Sequence, residues 1–232
     1  YKTRFIPTVA AATEVRLMLD RTIREIKKYS NKNIKIAFDE WNTYVEATPP
    51  YFIENYNIAD AIYAASLLNA CINRGDIITN TGIYHLINVM GNYRIEKKKI
   101  WKTPTTLVLE LYTKFHKGKI LKSVVNSSNF VSFKLGKQPE YKNNKLIDSA
   151  VTMNGKHMCM SVVNKSSSEK ILLKVPYLDR IAENYCIEGS NKVDLNTFEN
   201  TSRVKIKKNS LKTSKGFLIL PPHSISVVLF NI

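Results

Sequence analysis

The sequence predicts an α/β region that gives way to an all-β region, and three observations carry the prediction. In the first half, two stretches with apolar residues at the helical period flank a short apolar run, Ile34 to Asn42, which makes that run a parallel strand of an α/β fold. From Ile120 onward the period changes from helical to alternating, and short strand candidates recur. Asn, Gly, Ser and Lys separate those candidates at the spacing of an antiparallel sandwich. The change falls near Lys117 to Lys119, dividing the chain into an amino-terminal region, residues 1–117, and a carboxyl-terminal β-sandwich, residues 118–232.

Each element follows from local patterning. Thr13 is placed to cap a helix in which Val15, Met18, Leu19, Ile23 and Ile26 keep the 3.6-residue period up to Tyr29. Ser30 to Asn33 is a polar turn, and the strand to Asn42 follows it. Residues 43–56 contain Pro49-Pro50 and the aromatics Tyr44, Tyr51, Phe52 and Tyr56, a loop too long and too aromatic to be a mere connection. Asn57 with Asp60 three residues on forms a loose capping-box pattern, and the helix it opens runs through Ala61, Leu68 and Ile72 to Gly75, which suits a stop just past the helix end. Asp76 to Asn80 reads as the next strand and Thr81 to Asn92 as a second loop. Thr103 and Pro104 open a last helix, with Leu107, Val108, Leu111, Tyr112 and Phe115 on its apolar face and Gly118 closing it. The strand candidates beyond are Ile120–Val125, Phe130–Leu135, Leu146–Met153, Met158–Val163, Ile171–Val175, Glu183–Ile187, Val204–Lys207, Phe217–Leu220 and Ile225–Phe230.

Composition narrows the function classes. At 232 residues, 44% hydrophobic and 10% aromatic, the chain has enough apolar surface to bury a core. No run of 18 apolar residues occurs, so no membrane span is expected. The start at Tyr1 shows no basic leader with an apolar stretch and cleavage site, and the lack of an initiator Met predicts a chain that begins inside a longer protein. A net charge of +16 raises the question of nucleic acid, but the excess is spread: residues 1–117 carry 17 basic against 11 acidic side chains, and residues 118–232 carry 18 against 8. The densest runs, Lys97-Lys98-Lys99 and Lys207-Lys208, have no interleaved aromatics to stack bases, so a solvated surface is expected and no nucleic-acid partner. Cys71, Cys159 and Cys186 are odd in number, far apart and set among apolar residues, which predicts core thiols in a reducing, cytoplasmic setting. The four histidines, His85, His116, His157 and His223, show no ligand spacing, and no metal is expected.

The first strand holds a candidate for the chemistry. Side chains alternate along a strand, so Ile34, Ile36, Phe38 and Glu40 are expected on one face and Lys35, Ala37 and Asp39 on the other. Folds of this kind place their reactive groups at the carboxyl ends of parallel strands, and Glu40 stands at such an end. A polar residue at a strand end equally suits a group that only faces solvent or starts a turn.

The string Ala37-Phe38-Asp39-Glu40-Trp41-Asn42 resembles the nucleophile strand of the α-L-arabinofuranosidases of glycoside hydrolase family 51. Further matches follow in that family's order: Asp60-Ala61 with Leu68-Asn69, then Leu86-Ile87-Asn88-Val89, Trp101-Lys102-Thr103-Pro104-Thr105, Asn196-Thr197-Phe198-Glu199-Asn200 and Leu220-Pro221-Pro222-His223-Ser224. The resemblance implies the carboxyl-terminal part of a (β/α)8 TIM barrel, followed by an antiparallel β-sandwich. A whole barrel takes roughly 250 residues, more than twice what precedes the sandwich here. It implies retaining hydrolysis of terminal α-L-arabinofuranosyl groups from arabinose-containing oligo- and polysaccharides in L-arabinose metabolism, with Glu40 as nucleophile and without metal or organic cofactor.

The family's acid/base is a Glu in an Asn-Glu pair on an earlier strand, and this chain contains no Asn-Glu dipeptide. Asp39 is not expected to replace it, being adjacent to Glu40 and therefore on the opposite face. Glu46 and Glu54 in the following loop read as solvated acids. The resemblance thus implies a missing amino-terminal barrel portion as partner, and an inactive chain without it. Two positions depart from the family: His85 stands where relatives carry a Gln, and Tyr44 where they carry a Trp. Both are expected to contact substrate, and they put the preferred sugar in question. The rings of residues 43–56 either stack on sugar or pack the loop down. Another retaining barrel glycosidase, for xylo- or gluco-configured substrates, and a non-catalytic sugar-binding module are the alternatives, and a homo-oligomer is compatible with all of them.

Overall fold

The computed structural model describes residues 4–44, 55–136 and 138–232. Glu46, Glu54, Pro49, Pro50, Tyr51 and Phe52, and with them most of the expected aromatic loop, lie outside the described residues. The first half runs α1 (Phe5–Tyr29), β1 (Ile36–Trp41), α2 (Ile58–Ile72), β2 (Ile78–Ile83), β3 (Tyr93–Glu96), β4 (Lys99–Lys102) and α3 (Pro104–Phe115). β1 and β2 pair in parallel, as the strand–helix–strand order requires.

Thr13 does not cap α1, which already begins at Phe5. Phe5, Val9, Ala10 and Ala12 are buried and extend the apolar stripe over two further turns, so tertiary packing overrides the local capping preference. Thr13 instead donates from Oγ1 to Asn144 Oδ1 at 2.8 Å, across 131 residues of sequence. In α2 every residue from Ile58 to Cys71 is buried. A helix covered on all sides is a core helix, and this one lies between α1, α3 and the sandwich strands. Its capping box is complete: Asn57 Oδ1 accepts from the Ala59 N–H at 2.8 Å, and Asp60 Oδ2 accepts from the Asn57 N–H at 2.8 Å. The β3–β4 hairpin was not expected from the sequence. Its turn is the Lys97-Lys98 step, and the Lys99 and Lys97 ammonium groups lie 4.4 and 5.3 Å from the Phe198 ring centroid.

The second half contains β5 (Lys119–Leu121), β6 (Asn129–Ser132), β7 (Tyr141–Lys145), β8 (Ile147–Asn154), β9 (His157–Asn164), β10 (Ile171–Leu173), β11 (Ile181–Glu188), β12 (Lys205–Lys208), β13 (Lys212–Ser214), β14 (Phe217–Leu220) and β15 (Ser224–Asn231). A six-stranded antiparallel sheet in the order β12-β11-β15-β9-β8-β5 is joined by a three-stranded one, β10-β14-β13, and by the β6–β7 pair. The α/β region followed by an antiparallel sandwich is the order expected. On β15, Ile225 and Val227 join the core shared with α2 and α3, while Val228 and Phe230 join a second core with Leu218 and Leu220 of β14. One strand with alternating faces thus packs against helices on one side and strands on the other. A polar contact fixes the helix side: Asn69 Oδ1 accepts from Tyr112 at 2.8 Å and from Ser161 on β9 at 2.6 Å. Where the chain enters β5, Gly118 adopts φ 78°, and a Cβ there would collide with the Met153 carbonyl.

Candidate active site

The site begins with an irregularity in β1. Phe38 pairs with Thr81 and Trp41 with Ile83, so Asp39 and Glu40 together face the single residue Gly82. Two residues opposing one is a β-bulge, and it interrupts the strict alternation expected of this strand. Phe38 and Trp41, three residues apart, both pack into the helix-side core, while Asp39 and Glu40 are both exposed. Glu40 therefore does not continue the face of Ile36 and Phe38, and strict alternation no longer sets Asp39 opposite it through the bulge. Ile34, expected on the core face, is 41% exposed and precedes the strand.

Hydrogen bonds hold the two strand ends together just beyond Glu40. The Trp41 indole N–H donates to Thr81 Oγ1 at 2.6 Å, and the Tyr84 N–H donates to the Trp41 carbonyl at 2.9 Å. Asn42 donates from Nδ2 to the carbonyls of Met90 (3.0 Å) and Tyr84 (3.4 Å), and its Oδ1 accepts from the Thr43 N–H at 2.9 Å. Thr43 donates from Oγ1 to Asp60 Oδ1 at 2.8 Å, and its carbonyl accepts from the Tyr56 hydroxyl at 3.2 Å. Asp60 is fully buried, and its Oδ2 also accepts from the Arg4 guanidinium at 2.9 Å. Burial pushes the Asp60 pKa up, opposed by Arg4, the Asn57 N–H and the Thr43 hydroxyl. Sequence reasoning found the helix-capping role of Asp60 but neither its contact with Thr43 nor Arg4 as its partner, 56 residues away.

His85 lies two residues beyond β2, beside the end of β1, in the left-handed region at φ 61°. It is exposed and stacks on Tyr84 with ring centroids 3.9 Å apart, and its carbonyl accepts from Asn92 Nδ2 at 3.2 Å. Asn88 and Val89 in the same loop also have φ 48°, a conformation that costs a β-branched residue most. Tyr44 follows β1 and is 65% exposed. Glu40 and His85 therefore occupy the carboxyl ends of neighbouring parallel strands, with Tyr44 in the loop after the first. Among the described residues none of the three makes a hydrogen bond or ion pair with another.

The Glu40 carboxylate is exposed and has no salt-bridge partner among the described residues. Asp60 is not available as a second carboxyl, being buried and fully engaged. Two clefts among the described residues lie elsewhere. One of about 620 Å³ is lined by Tyr56, Asn88, Arg94, Trp101 and Phe198, among others. Another of about 720 Å³ is at the opposite ends of the strands, near Gly75 and Asp76. Among the described residues no group of His, Cys, Asp and Glu is arranged to hold a metal ion, and no helix is long and apolar enough to cross a membrane.

Comparisons with known proteins show what the chain as a whole is similar to. Residues 39–224 match the family model described as "Alpha-L-arabinofuranosidase C-terminal domain". The intracellular exo-α-(1→5)-L-arabinofuranosidase of Streptomyces lividans is 25% identical over 193 residues, covering 75% of this chain and 28% of that protein. The solved α-L-arabinofuranosidase of Thermotoga maritima, in complex with arabinose, superposes with a TM-score of 0.81 at 22% identity, over 98% of this chain and 49% of that one. The thermostable family 51 enzyme of Thermotoga petrophila gives 0.82 at 24% identity, over 97% and 49%. The chain thus spans about half the length of these solved structures and less of the curated relative.

Proposed function

Since this chain belongs to the α-L-arabinofuranosidase C-terminal domain family, we propose that it works as the carboxyl-terminal half of a retaining glycoside hydrolase that removes terminal α-L-arabinofuranosyl residues from arabinose-containing oligo- and polysaccharides. The observation that carries this reading is the exposed Glu40 carboxylate, which a bulge frees at the carboxyl end of a parallel strand, one strand from His85. Residues 1–117 contribute the last strand–helix units of a barrel and residues 118–232 its β-sandwich.

In the proposed mechanism Glu40 attacks the anomeric carbon while the bond to the leaving oxygen breaks. A general acid donates its proton to that oxygen, then takes a proton from the water that displaces Glu40, and two displacements leave the configuration unchanged. Two carboxyl groups roughly 5–5.5 Å apart suffice for this chemistry. The second comes from barrel strands that pair with the outer edges of β1 and β2, which form only a two-stranded sheet among the described residues. His85 and Tyr44 contact the furanose ring. A cytoplasmic setting is supported by the three buried, unbridged cysteines and by the relative named intracellular.

Proton NMR of the first product released from an aryl α-L-arabinofuranoside by the full-length protein tests this reading. The account predicts the α anomer first, whereas initial β anomer would show inversion and remove Glu40 as nucleophile.

A further inference from the structure

We propose that Asp60 is a positioning residue for this reaction, acting through Thr43 and Asn42 to hold the strand ends bearing Glu40 and His85 in register. The proposal rests on the reading of Glu40 as nucleophile given above. A capping box needs one carboxylate oxygen and usually sits at a solvated helix end. Asp60 goes beyond that role: Oδ2 serves the Asn57 N–H and the Arg4 guanidinium, and Oδ1 serves the Thr43 hydroxyl on a different element. Its side chain is completely buried, which is costly for a carboxylate unless its lone pairs are filled.

The bonds form a continuous path. From Asp60 it passes to Thr43 Oγ1, then from the Thr43 N–H to Asn42 Oδ1, and from Asn42 Nδ2 to the carbonyls of Tyr84 and Met90, which bracket His85 and its left-handed loop. The path starts on α2, the most deeply buried helix of the molecule, and ends on an exposed loop. Glu40 lies only two residues before Asn42, and its side chain makes no hydrogen bond among the described residues. Its position is set by the backbone, which this path fixes.

Replacing Asp60 itself risks unfolding, because it removes a buried carboxylate that serves Asn57, Arg4 and Thr43 at once. Thr43→Val is the sharper test: it keeps the shape of the side chain and removes only the hydroxyl bonded to Asp60, while Thr43→Ser keeps the hydroxyl. In the full-length protein Thr43→Val is expected to lower kcat roughly 10-fold or more with KM within about 2-fold of its original value, and Thr43→Ser to restore most of the loss. The Trp41 indole N–H should shift or exchange faster in ¹⁵N-resolved spectra of Thr43→Val but not of Thr43→Ser, with the Trp101 indole as internal control. Unaltered kcat, a loss confined to KM, or equal losses in both variants would overturn the proposal. If the unsubstituted protein has no arabinofuranosidase activity, the proposed reaction fails separately. The Trp41 signal then decides alone whether Asp60 holds the strand end, a stationary signal overturning it.

Discussion

Gly82 lies so close to Asp39 that a Cβ built on it would stand 2.9 Å from the Asp39 carbonyl oxygen. The contact explains why the bulge at Asp39 and Glu40 faces a glycine: two residues crowd against one position, and only a residue without a side chain lets the strands stay paired. Gly82→Ala must push β1 and β2 apart beside Glu40, the proposed nucleophile. The variant is expected to lose about 1–3 kcal/mol of stability, read by thermal or denaturant unfolding, and most of its turnover in the full-length protein. An alanine accepted without loss of either would mean that the bulge is not held by this contact.

A second prediction concerns pH. His116 follows the last residue of α3, with Nδ1 3.1 Å from Thr152 Oγ1 on β8 and its ring centroid 5.0 Å from that of Tyr112. Burial pushes its pKa from the ordinary 6.5 down to about 4. The folded state therefore holds a neutral imidazole where the unfolded chain takes up a proton. The stability that depends on this is intact above pH 6.5 and is lost as pH falls from there to about 4. The ring is only half-buried, so the loss should be about 1–3 kcal/mol. Denaturant unfolding of the protein and of His116→Gln across this window checks it, and the variant should show the shallower slope. Equal slopes would assign the acid sensitivity to other groups.

The elements that frame the candidate site were legible in the sequence, and their geometry only in part. The period change near Ile120, the strand ending in Asp39-Glu40-Trp41-Asn42 and the Asn57–Asp60 capping box each depend on neighbours in the chain, and local patterns reveal such features. The bulge was hidden because a period of two cannot show where one extra residue has entered a strand. β7, reading Tyr-Lys-Asn-Asn-Lys, and β13, reading Lys-Thr-Ser, have too few apolar residues to alternate, so pairing partners rather than composition define them. The first turns of α1 and the Arg4–Asp60 pair depend on contacts between distant segments, which no window of sequence contains.

The central claim is that Glu40 forms a covalent bond to the sugar. A mechanism-based furanosyl inhibitor that traps the glycosyl–enzyme intermediate, incubated with the full-length protein and followed by peptide mass spectrometry, tests it most directly. The account predicts one label per chain on the peptide containing Glu40, and none in Glu40→Gln, which should remain folded but inactive. Absence of any covalent label would point to a sugar-binding module, and a label on another carboxylate, such as Asp39, would contradict the assignment of the nucleophile.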